Sequence, residues 1–383
     1  DEPETMFNRL MSNSCPFRIP KTYFTDHCPA STNFIHLCEW IEYSQEHEPK
    51  KAFQVCKANL KCRDYDLPKM GVERYLAFFR SLGRLVAKYW SGDLGPHIRL
   101  GQVFENVWPS LDAGFSSGWP RNAEERAFIA QASKTPEYQQ KVIKQGEMSL
   151  NLSIVQTTTG MDFVCNIAPQ LFSKEVTDHK FVLRMMKELA EVYQYGSEID
   201  SYMTQYQECF SLFHPNVQLD NAFYFYNDDN CTQMEAGVFD WGGAQCMAYV
   251  SSMAGNLQSG AEPAMLDEHE PEVVRAWVDA YHEEGGSERL TFEYIYECFK
   301  LAQCKAASGS LGFIVNLLKD VPRNHELWTT VKSRFEPDIE DNYIRRALVG
   351  QIDHTLQAWY SKKRDNFGKF KKWCKDNSDV VFK

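Results

Sequence analysis

Two apolar runs, Ala222 to Tyr226 and Ala236 to Phe239, flank an Asn/Asp-rich stretch from Asn227 to Asn230. A short polar link of this kind lets the runs meet as an antiparallel hairpin. Polar residues lie at both of its ends. Ser211-Leu212-Phe213-His214-Pro215-Asn216 leads in, and Asp240-Trp241-Gly242-Gly243 leads out. Hairpin pairing brings the lead-in and the lead-out together, so His214 and Asp240 are expected at the same end.

The rest of the chain is mostly helical in pattern. Tyr75, Leu76, Phe79, Leu82, Val86 and Tyr89 recur at spacings of three and four, which predicts a helix over 72–90. Residues 3–11 read as a short helix with Pro3 near its start. Lys21 to Phe24 and Asn33 to Cys38 read as two strands joined by a polar turn. Residues 91–121, rich in Gly, Pro and Trp, read as loops around a short helix, and 123–147 as polar helix. Met148 to Val164 fits either strand or helix. Helical segments are expected at 181–186 and from Ile199 to Phe210, and again from Pro263 onward. In the stretch Tyr360 to Lys375, Lys and Arg alternate with Phe and Trp. It reads as an amphipathic helix with its rings in the core. These elements predict an α+β fold.

Composition limits the function classes. The 383 residues include 41 Lys and Arg against 52 Asp and Glu, a net charge of −11. An acidic chain is poorly suited to gripping a nucleic-acid backbone, so no nucleic-acid partner is expected. No apolar run approaches the roughly 18–20 residues of a membrane-spanning helix. The 12 cysteines form no CxxC pair and no zinc-like spacing with His. They are expected to be mostly buried thiols, Cys38 and Cys165 among them, because free cysteine is among the most buried residue types. A soluble cytoplasmic or organellar setting is expected rather than secretion. Two sequons, Asn151-Leu152-Ser153 and Asn230-Cys231-Thr232, decide nothing, since such triplets arise often by chance. The sequence opens on Asp1 rather than Met, so a processed or partial product is expected.

Phosphoryl transfer needs few protein groups: a carboxylate to position the attacking hydroxyl, and oxygen ligands for the magnesium on the nucleotide phosphates. Mg²⁺ favours such hard ligands. His214, Asn216, Asn221 and Asp240 offer such a set. At this point the chain resembles a family. A His-x-Asp-x-x-x-x-Asn loop, a hairpin and then Ile/Val-Asp-Phe/Trp mark the choline kinase and aminoglycoside phosphotransferase-like small-molecule kinases. His214 and Asn221 match the loop, and Asp240-Trp241 matches the second motif. The flanks resemble the ecdysteroid-kinase-like branch. Glu4 and Phe7 are similar to its small-lobe helix, and Phe34 to Glu39 to its strand and hinge. Leu82 to Trp90 is similar to its "LA-x-LHA-x-W" helix, and Tyr281 to Thr291 to its "YH…G…LT" segment.

The resemblance implies a protein-kinase-like two-lobed fold. A truncated small lobe would span 1–65, and a mostly helical large lobe 66–383, with the site hairpin at 211–243. It implies ATP and Mg²⁺ as cofactors if the protein is active, with Asn221 and Asp240 on the metal. His214 would be structural, and Glu4 and Glu39 would lie at the nucleotide. The chain departs from the family in two ways. Asn216 occupies the position of the family's catalytic Asp, and a carboxamide essentially cannot accept the proton a carboxylate accepts. The phosphate-binding hairpin and its strand Lys would precede Glu4, where this sequence has no strand. Two readings follow. One is a pseudokinase that binds a protein partner or a larger assembly. The other is a kinase of a small hydroxylated metabolite, completed by an upstream segment.

Overall fold

The structure is a computed structural model. It describes residues 2–28, 30–31, 33–42, 55, 72–95, 98, 136–334, 336, 343–361 and 365–376. Most of 91–121, the beginning of 123–147 and the expected boundary at 65 lie outside the described residues. Among the described residues the fold is mixed, with long helices and three small antiparallel sheets, as the α+β expectation has it. The chain forms two compact units. One comprises Asp1–Trp119, Thr204–Asn256 and Glu268–Glu297. The other comprises Pro120–Met203, Leu257–Asp267 and Cys298–Lys383.

The first unit holds all six strands seen among the described residues. Helix α1 (Glu2–Met11) precedes a hairpin of β1 (Thr22–His27) and β2 (Phe34–Cys38). Helix α2 (Val72–Ser91) buries Tyr75, Phe78, Phe79, Leu82, Leu85, Val86 and Tyr89. The expected site hairpin is present: β4 (Ala222–Tyr226) pairs antiparallel with β5 (Met234–Val238), with Ala222 opposite Val238. One sheet was not expected. β3 (Phe210–Phe213) pairs antiparallel with β6 (Gln245–Ala248). The helix expected over Ile199 to Phe210 therefore ends early, at Met203, and Phe210 opens a strand instead. All four residues of β3 are buried, so the strand has no alternation to separate it from a buried helical turn.

Helix α2 is clamped onto β5. Arg80 Nη2 donates to the Met234 carbonyl at 2.7 Å, and Ser81 Oγ to the Ala236 carbonyl at 3.0 Å. Arg84 forms an ion pair with Glu235 at 2.7 Å. The amide of Val238 donates to the Arg18 carbonyl at 3.1 Å. The outward Met234 and Ala236 carbonyls and the Val238 amide of β5 are thus satisfied without another strand. On its other side α2 meets the helix Pro263–Glu283 at Gly83. A Cβ there would stand 2.3 Å from the Trp277 carbonyl oxygen, so only glycine permits this approach.

The second unit is helical. The ambiguous stretch at 148–164 resolves as the end of the helix Pro136–Asp162, followed by a π-helical turn, Phe163–Ile167. Asp178 caps the helix His179–Gln194 by accepting from the amides of Lys180 and Phe181. Trp359 Nε1 donates to Glu188 Oε2 at 2.7 Å, which ties this helix to Tyr343–Tyr360. The last helix, Asn366–Asp376, buries Phe370 and Trp373 and exposes Lys371, Lys372 and Lys375. This is the amphipathic arrangement the sequence predicts.

The cysteines differ from expectation. Of the ten described, Cys209, Cys298 and Cys304 are buried, but Cys28 and Cys38 are exposed and Cys165 is half-buried. Cys38 ends a strand whose residues all remain at least partly open to solvent, so its apolar neighbours do not enclose it. No disulfide links the described cysteines.

Candidate functional site

Strand register places the site. Because Ala222 faces Val238, the loop ahead of β4 and the turn after β5 fall at one end of the hairpin. His214 lies there, 1% exposed. The Asn216 amide donates to its Nδ1 at 3.0 Å, so Nδ1 is the acceptor and Nε2 holds the proton. Nε2 faces the Phe239 carbonyl at 3.0 Å and donates to it. Burial pushes the His214 pKa down, which keeps the ring neutral. His214 is thus a brace between the two segments.

Asn221 reinforces the brace. Its Nδ2 donates to the Asn216 carbonyl at 2.9 Å, and its own carbonyl accepts from the Phe239 amide at 3.1 Å. From β6 onward the chain adds a further tie: Ser252 Oγ donates to the Pro215 carbonyl at 2.6 Å. The loop 214–221 is therefore held by bonds to its own backbone, with Asn216 half-buried at its bend.

Asp240 occupies a special position. Its backbone is left-handed, with φ 63° and ψ 52°, and the residue is exposed. Such conformations cost energy for a non-glycine residue and concentrate at functional sites. Trp241 follows it, fully buried. Its ring stacks on Phe7 of α1 at 3.6 Å between centroids and meets the His214 ring edge-on at 4.9 Å. The stack carries α1 to the turn and brings Glu4 toward Asp240. Burial first, and the charge of Asp240 second, raise the Glu4 pKa. No Lys or Arg among the described residues offsets this.

Glu39 stands apart from that pair. Its carboxylate pairs with Arg18 at 2.8 Å and accepts from the Lys21 amide at 3.2 Å. The Arg18 guanidinium lies over the rings of Phe223 and Phe225, at 5.5 Å from each. Just beyond Glu39, Ile41 packs with Val55, Phe223 and Phe225 in one buried cluster, with Phe239 against it. Trp40, between them, is 87% exposed. A cleft of about 460 Å³ opens beside Phe17, Arg18, Arg84 and Phe225. Both of its guanidiniums are already paired, Arg18 with Glu39 and Arg84 with Glu235, so it has little left to offer an anion.

The structure brings together His214, Asn216, Asn221 and Asp240, with Glu4 close enough for the charge of Asp240 to help raise its pKa. Sequence reasoning missed the parts that join them: Trp241 as the ring shared by α1 and the loop, and Arg18 as the partner of Glu39. The position of Arg18 between Pro16 and Pro20, in a segment too constrained for a helix, is the one sequence signal pointing to it. Among the described residues, no group of three or more His, Cys, Asp or Glu is placed to hold a metal ion. No helix among them is long and apolar enough to cross a membrane. No family model, no curated protein and no solved structure matches the chain.

Proposed function

We propose that the chain is a kinase-like protein with an inactive catalytic loop, serving as a binding or scaffold subunit of a larger assembly. The observation that carries this reading is the loop itself. It has the bracing of a catalytic loop, His214 to Phe239 and Asn221 to Asn216, but a carboxamide where the chemistry needs a carboxylate. Loss of general-base help costs about 10²–10⁴-fold where it operates. The cluster of Ile41, Val55, Phe223 and Phe225 supports the same reading, since it fills with side chains the ground beside the expected hinge. Glu39 is likewise engaged by Arg18 rather than open to a nucleotide.

The donor set fits ATP poorly. Phosphates brought to Glu4 and Asp240 would meet two carboxylates, and no Lys or Arg among the described residues acts on Glu4 to offset them. Mg²⁺ would find one exposed carboxylate, Asp240, and the carboxamide of Asn221, and would need phosphate oxygens to complete its shell.

A second reading has its own support. Asp240 keeps a left-handed, exposed conformation, and its charge reaches Glu4, so the site has acidic character that a cation would favour. In that reading the protein is an ATP-dependent phosphotransferase acting on a hydroxyl of a small metabolite. An upstream segment supplies the Lys and the phosphate-binding hairpin. Phosphate transfer from ATP to a panel of small alcohols, assayed with the 383-residue chain and with a product extended upstream of Asp1, separates the two. The pseudokinase reading expects no turnover from either product, with or without Asp240→Ala. Turnover that Asp240→Ala abolishes and Asn216→Asp raises would establish the enzyme instead.

A further inference from the structure

We draw no further inference here: the strongest candidate, the cavity of about 380 Å³ in the second unit between Glu188, Trp359, Tyr360 and Asp365, carries nothing, because residues 362–364, which link its wall residues Ser361 and Asp365, lie outside the described residues and nothing in the structure shows what covers it.

Discussion

His214 ties the stability of the loop to pH. Burial holds its pKa below the ordinary value of 6.5, so the folded state binds fewer protons than the unfolded state as pH falls through that region. Its contribution is therefore full above about 6.5 and is lost on acidification. Glu4, Glu188 and Asp353 act in the opposite sense. Burial raises each of them, so their cost is felt when they are ionised and is relieved as they take up protons. A difference measurement isolates the histidine. His214→Gln can keep only one of the two bonds, to Phe239 or from Asn216, and should lose about 1–3 kcal/mol at pH 7.5. By pH 5.5 the gap to the parent should narrow, because the parent loses stability and glutamine does not titrate. Urea unfolding at both pH values reads this directly. An unchanged gap would mean that the ring is charged in the fold.

At the scale of elements, the site hairpin rests on one close packing. A Cβ on Gly237 would stand 2.0 Å from the Phe223 ring, which covers the glycine and reaches Phe225 and Phe239 at stacking distance. Gly237→Ala should displace that ring and loosen the cluster with Ile41. An overpacking cost of about 1–3 kcal/mol is expected in thermal or chemical unfolding. Full stability in this variant would show that the ring has room to move. Much of this region was legible in the sequence. The period of α2, two strands read at 21–24 and 33–38, which form at Thr22–His27 and Phe34–Cys38, and the hairpin at 222–238 follow from apolar spacing and turn composition. So does the common end shared by His214 and Asp240, because hairpin register fixes it. The β3–β6 sheet was not legible, since a four-residue fully buried strand has no period of its own. Nor was the clamp of Arg80, Ser81 and Arg84 on β5. Polar residues on a helix read as a solvent face until a strand edge is placed against them.

For the whole molecule, the joining contacts are the least visible from sequence. Phe7 and Trp241 lie far apart in the chain, and neither signals the other, yet their stack holds α1 against the turn that carries Asp240. The same contact brings Glu4 near enough to Asp240 for its charge to help raise the Glu4 pKa, with no Lys or Arg of the described residues acting against it. That electrostatic arrangement, the carboxamide at Asn216 and the ring cluster beyond Glu39 all bear on one question: whether this chain holds a nucleotide. Isothermal titration of the 383-residue chain with ATP, with and without Mg²⁺, answers it. No binding tighter than about 1 mM is expected in either condition. Micromolar binding that requires Mg²⁺ and disappears in Asp240→Ala would contradict the inactive reading.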